Sequence, residues 1–234
     1  MAANDFVLVQ GMNDTRATLR SWNARPWPVL GAWAARAAIV AAVMLTAVLA
    51  VTSLATPDPT PLFIAGIDGR VDLGNVGAVL FRNSLVLALH AFACVAGFIA
   101  GASLPLTAAR HTGFARWIHE KARPIALAWV VAVTCFSLVT QTYILGSDGA
   151  TLAAQLAVSP GVLVLTVLPH AFPELVALFL PLAAWTIASR RGEWNQLLAA
   201  TFATTAVALP VLVAAATWEA YVWPRILEAA SPLA

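Results

Sequence analysis

Val167-Leu168-Pro169-His170-Ala171-Phe172-Pro173-Glu174-Leu175 is the stretch on which the reading of this chain turns. It lies within an apolar region running from Ser159 to Ala188. An imidazole, a carboxylate and two prolines are costly in such surroundings. Each proline removes a backbone donor and crowds the preceding turn. Pro173 suits the first turn of a new helix, where Glu174 would meet the positive end of the helix dipole. The spacing therefore predicts a break at Pro169–Pro173 and a fresh helix over residues 172–189. Ionisable side chains at membrane depth usually face the protein interior, as part of a site or an ion pair.

The composition places this region in a membrane. The 234 residues are 61% hydrophobic and 10% charged, with a mean hydropathy of +0.83, whereas soluble domains carry about 25% charged residues. The class is an all-α polytopic membrane helix bundle of about five transmembrane helices. Cys94 and Cys135 fall mid-way along apolar segments without metal-ligand spacing, and read as inert core residues. No residue pattern calls for a metal or a cofactor. The first apolar run, Val29 to Leu54, exceeds the roughly 7–15 residues of a signal-peptide core. Ser53-Leu54-Ala55 looks like a cleavage site, but the long polar leader before Val29 favours an uncleaved span.

Residues 1–28 form a cytoplasmic N-terminal segment with a short interfacial helix over Thr15–Trp22, and residues 29–234 form the transmembrane domain. Span one is Val29–Leu54. Residues 56–77 are an acidic loop rich in Pro and Gly, with a short surface helix over Val71–Val76. Span two covers Val79–Leu104. A basic loop over Thr107–Arg123 leads to span three, Pro124–Leu145, which the connection Gly146–Gly149 ends. The broken fourth region follows the Ser159-Pro160-Gly161 break, and Ser159–Leu168 reads either as re-entrant or as part of a span. Span five, Trp194–Val222, is interrupted at Pro210.

Two patterns stand out in span two. Asn83, Leu87, His90, Cys94, Gly97 and Gly101 recur at steps of four and three and share one helical face. Ala93, Gly97 and Gly101 form a seam of small residues, which lets another helix backbone approach. Short-loop Lys and Arg set the orientation. With the N-terminus inside, Arg16, Arg20, Arg25, Arg36, Arg110, Arg116, Lys121, Arg123, Arg190 and Arg191 are cytoplasmic. Only Arg70, Arg82 and Arg225 lie outside, so the expected topology is N-inside and C-outside in a bacterial plasma membrane.

That topology brings Arg82, Asn83, His170, Glu174 and Glu219, with Gln141, into one outer-leaflet layer. A charge at such depth costs about 2.5 kcal/mol or more, so mutual pairing is expected: Glu174 with Arg82, and Glu219 as the alternative partner for Arg82. Plainer readings stand beside this one. Arg82 can snorkel, Asn83 can bridge helices, His90 can pack, His170 can cap the new helix, and Glu219 can sit in the headgroup belt. There is no glycine-rich phosphate loop, no His-Glu-x-x-His and no Gly-x-Ser-x-Gly. No catalytic residue is assigned, and the expectation is a protein that is not an enzyme.

Phe81-Arg82-Asn83-Ser84 opening a span, the Gly97–Gly101 seam, Pro169-His170-Ala171-Phe172-Pro173-Glu174 and the closing Ala215-Ala216-Thr217-Trp218-Glu219-Ala220-Tyr221 with Pro224 together resemble the stage II sporulation protein M family. The resemblance covers residues 79–226. Ala171 departs from it, since the family pattern usually has Gly after Pro-His. The resemblance implies a multipass inner-membrane protein of about five helices that scaffolds peptidoglycan-degrading enzymes or serves as an accessory subunit.

Three function classes remain open. The first is a scaffold or accessory subunit of a membrane complex, with extracytoplasmic cell-wall hydrolases as partners. The second is a permease-like transporter subunit with a polar site around Glu174, its basic loop receiving a cytoplasmic ATPase. The third is an intramembrane hydrolase using Glu174 with His170 or His90. Membrane lipids and further copies of the chain or other membrane proteins are the expected partners in every case, and nucleic acid in none.

Overall fold

The apolar runs fold as helices throughout. The structure, a computed structural model, describes residues 7–103, 105 and 112–233. Among these residues there are seven α-helices and no strand: α1 (Val7–Ala24), α2 (Pro26–Leu54), α3 (Leu73–Phe98), α4 (Gly113–Gln155), α5 (Pro160–Arg191), α6 (Leu197–Tyr221) and α7 (Trp223–Ala230). A π-helical turn, Ile99–Ser103, extends α3, and a 3-10 turn, Trp194–Gln196, precedes α6. The five helices α2 to α6 each contain a window long and apolar enough to cross a membrane. This is a multi-pass membrane protein.

The fourth span is one helix, not two. It runs unbroken from Pro160 to Arg191 with Pro169, Pro173 and Pro181 inside it, so the predicted break is corrected. A proline deletes one i→i−4 bond, and a transmembrane helix tolerates this where neighbouring side chains re-satisfy the freed carbonyls. Around Pro181, two carbonyls of the helix also take side-chain donors from α3. The His90 imidazole bonds the Leu178 carbonyl at 2.9 Å, and the Cys94 thiol donates to the Pro181 carbonyl at 3.1 Å. The helix start lies at Ser159, whose hydroxyl accepts from the Val162 N–H, with Pro160 in the first turn. Residues 160–168 therefore belong to the span. Glu174 sits mid-helix, without the orphan N–H groups of a helix start.

Other boundaries move for related reasons. Gly146 and Gly149 do not end span three, because α4 continues to Gln155. Their missing side chains let α2 approach instead. A Cβ on Gly146 would lie 2.5 Å from the Val51 Cβ, and one on Gly149 would lie 2.8 Å from the Thr52 hydroxyl. Pro210 does not interrupt α6. The expected surface helix at Val71–Val76 is the start of α3, where Asp72 and Asn75 form a reciprocal cap. Of the predicted basic loop, Arg110 and His111 lie outside the described residues, and α4 has already begun at Gly113.

Helix α5 is the hub, packed against α2, α3 and α6, while α4 lies outside against α2. The core stripe of α2, Trp33, Ala37, Ala41, Met44 and Val48, meets Leu175, Leu178, Phe179, Ala183 and Ile187 of α5. Small alanines on α2 permit this close crossing. Helix α1 contains the short helix expected over Thr15–Trp22 and is longer than predicted, with Trp22 edge-on to Trp33 at 5.1 Å. Residues 55–72, the end of α4 and α7 close the opposite end of the bundle around Ile64, Leu152, Leu156, Leu163 and Leu227. The Gln155 amide holds both the N–H and the C=O of Leu62, and Ser231 bonds the Leu156 carbonyl. We refer to this closed end as the loop end.

Candidate functional site

Helices α3, α5 and α6 converge in the half of the bundle nearer the loop end. The periodicity of span two is borne out: Asn83, Leu87, His90, Cys94 and Gly97 are all buried on the inner face of α3. On α5, Thr166, His170 and Glu174 follow at steps of four, which stacks them on one face. Thr166 and His170 are buried, while Pro169 and Pro173 are exposed on the other side. The pattern that looked like a helix break is the two faces of one helix.

The polar pairings differ from the expected one. Glu174 accepts a hydrogen bond from the Asn83 amide, Nδ2 to Oε1, at 2.8 Å. Arg82 lies beside Glu219, Nη2 to Oε1, at 3.8 Å, with 68% of the Arg82 side chain exposed against 24% for Glu219. Arg82 and Glu174 do not form an ion pair. The register of α3 explains this. Asn83 points into the α3–α5 seam, whereas Arg82, one residue earlier, is turned about 100° away toward α6 and the outside. Glu219 is the partner the sequence offered second. Gln141 is not in this group; its amide bonds Ser137 one turn away on α4.

The two buried histidines have distinct settings. His90 is fully buried, and because a carbonyl can only accept, its Nδ1 is the donor to Leu178 O. Its Nε2 has no partner, and its ring rests against Phe179 at 5.4 Å. His170 is 5% exposed, its Nδ1 is also unpartnered, and its ring tilts against Trp223 at 5.8 Å. It does not cap a helix start. Trp223 Nε1 in turn donates to the Thr166 hydroxyl at 3.3 Å. A third unpartnered buried atom, Trp185 Nε1, borders Gly97.

The glycines of the Ala93–Gly97–Gly101 seam lie against side chains. A Cβ on Gly97 would lie 2.6 Å from Trp185 Nε1 and 2.8 Å from Leu197 Cδ1. One on Gly101 would collide with the indole of Trp194. The small residues make room for two tryptophans at the end of the bundle opposite the loop end. The close backbone crossing is at Gly146 instead, where an added Cβ would stand 3.2 Å from the Val48 carbonyl.

Thr166 and Trp223 were not found from sequence. Thr166 is one helical step from His170 and was within reach of the same periodicity. The return of Trp223 over α5 depends on the direction of the turn between α6 and α7, which Pro224 in the first turn of α7 does not specify. Among the described residues, no three His, Cys, Asp or Glu side chains converge as metal ligands would. On the other side of α5, Pro169 and Pro173 line an apolar groove of about 650 Å³ with Ala42, Leu45, Leu49 and Phe172, open sideways between α2 and α5.

The site is thus a polar line within an apolar seam, running from Trp223 and Thr166 through His170 to Glu174 and Asn83, with His90 and Cys94 beyond. No protein-family model, characterised protein or solved structure matches this chain.

Proposed function

We propose that the chain is a scaffold or accessory subunit of a plasma-membrane complex, with its N-terminus inside and its loop end outside. The observation that carries this reading is the apolar groove that opens sideways between α2 and α5, beside a core of packed side chains such as Leu87, Phe179 and Leu212. A packed core with a lateral groove is suited to holding another membrane protein. The likeness of residues 79–226 to the stage II sporulation protein M family supports the same role, with cell-wall hydrolases as partners outside. The ten-to-three distribution of basic residues supports the orientation.

A photo-crosslinking residue at Leu165, which is exposed on the groove, tests the reading in the native membrane. A discrete crosslinked membrane protein is the expected product, lost when Leu168→Trp fills the groove. Crosslinks to lipid alone, together with solute flux in vesicles containing only this chain, would replace the scaffold by the permease reading. Cysteines at positions 68 and 231 should both react with an impermeant reagent in intact cells; protection of either overturns the orientation.

A further inference from the structure

The charges in the α3–α5–α6 layer do not balance. The layer holds two carboxylates, Glu174 and Glu219, and one guanidinium, that of Arg82. The guanidinium stands on Glu219, at 3.8 Å. Glu174 has only the neutral amide of Asn83. It lies about 21 Å along α5 from Pro160, at 1.5 Å per residue, well inside a span of 32 residues. An uncompensated carboxylate at that depth costs about 2.5 kcal/mol or more on insertion scales.

We propose that Glu174 is a proton-binding site within the membrane. Its carboxylate takes a proton from hydronium at one oxygen, leaving water and a neutral carboxylic acid, and no other bond changes. Asn83 fits both states. Its Nδ2–H bonds the carboxylate oxygen now, and it can bond the carbonyl oxygen of the acid equally well. The pairing thus holds the side chain in place without fixing its charge, as an arginine partner would.

His170 supplies the second, independent observation. One turn toward the loop end on the same face of α5, it is 5% exposed and keeps Nδ1 without a partner. Buried polar atoms left in this way are commonly satisfied by internal water. A further turn on, the Thr166 hydroxyl meets Trp223 Nε1. These groups make a polar line from the loop end to the carboxyl. On the far side of Glu174, His90 Nε2 is likewise buried and unpartnered.

The titratable groups around Glu174 are few. Helix α3 carries His90 and, turned toward α6, Arg82; α6 carries Glu219, and α5 itself carries His170. Helix α2 brings none, since Arg36 lies near its opposite end. Arg225 and Glu228 on α7 and Asp148 on α4 are exposed to the outside. The proposal stands whether or not the chain is a scaffold.

Dicyclohexylcarbodiimide tests it on the unmodified protein, because this apolar reagent adds to protonated carboxyl groups. Full-length protein in phosphatidylcholine vesicles is treated across a pH series, and the adduct is located by mass spectrometry. Glu174 is expected to be modified, and faster at the acid end of the series than at the alkaline end. Glu174→Gln, which keeps an oxygen for Asn83, should abolish the adduct, whereas Glu219→Gln should leave it. No adduct at Glu174 overturns the proposal. So does a rate independent of pH, or an adduct confined to Glu219.

Discussion

Asn83 and Glu174 should be energetically coupled, and Arg82 and Glu174 should not. The Asn83 side chain is 7% exposed and donates to a carboxylate at 2.8 Å. A hydrogen bond to a charged acceptor contributes about 1.5–3 kcal/mol in soluble proteins. Interhelical polar pairs in membranes average nearer 0.6 kcal/mol, with a maximum of about 1.7, because the unfolded chain in lipid also finds partners. The membrane value governs here, raised by the charge, so the Asn83→Ala and Glu174→Ala cycle should give about 1–2 kcal/mol of coupling. Arg82 with Glu219 is longer, and its guanidinium is largely exposed; that cycle should give less than about 1 kcal/mol. Arg82 with Glu174 should be additive within about 0.5 kcal/mol. Reversible unfolding by sodium dodecyl sulfate in mixed micelles, followed by tryptophan fluorescence, measures all three. Additivity of Asn83 with Glu174, or a larger coupling of Arg82 with Glu174, refutes the assignment of partners.

Gly146→Ala should destabilise by about 1–3 kcal/mol in the same unfolding assay, through overpacking against Val51 and the Val48 carbonyl. Gly77→Ala, a helical position with open space around it, is the control and should be neutral or stabilising by up to about 1 kcal/mol. Ala157 holds a left-handed φ of 52° at the end of α4, so Ala157→Gly should raise stability by about 0.5–1 kcal/mol, relief of strain outweighing the added chain entropy. Asp58, in the loop between α2 and α3, is held below the usual carboxylate range, first by the Thr60 backbone N–H and then by the Thr60 hydroxyl. Its contribution is present above the ordinary aspartate pKa and lost as pH falls through the depressed value, so the protection of the Thr60 amide relative to its intrinsic exchange rate should fall on that acid limb, and Asp58→Asn should flatten the response.

Some features of the fold follow from periodicity alone. A stripe at steps of three and four must fall on one face of a helix, so the buried row from Asn83 to Gly97 was legible before any packing was known. So were the spans, which length and hydropathy set. Others depend on a residue with two physical effects, of which the surroundings select one. Gly146 and Gly149 weaken a helix in isolation, but against Val51 and Thr52 their lack of a side chain is what allows α2 and α4 to cross. Gly97 and Gly101 permit a close neighbour without specifying it, and the neighbour is an indole.

The prolines of α5 show the same dependence at the site itself. In water, Pro169 and Pro173 would open the helix, and Glu174 would stand at a fresh N-terminus where three backbone N–H groups could hold it ionised. In the bundle the helix continues, because separating it would expose more backbone polar groups to hydrocarbon than each proline leaves unpaired. Glu174 then loses those donors and depends on what α3 presents across the seam. A one-residue offset decides the result: Asn83 faces inward and Arg82 does not. With Arg82 turned to Glu219, the carboxylate on α5 is left with a partner of no charge. That offset, rather than the presence of a glutamate among apolar residues, is why Glu174 can take up a proton where an arginine-paired carboxylate would stay ionised.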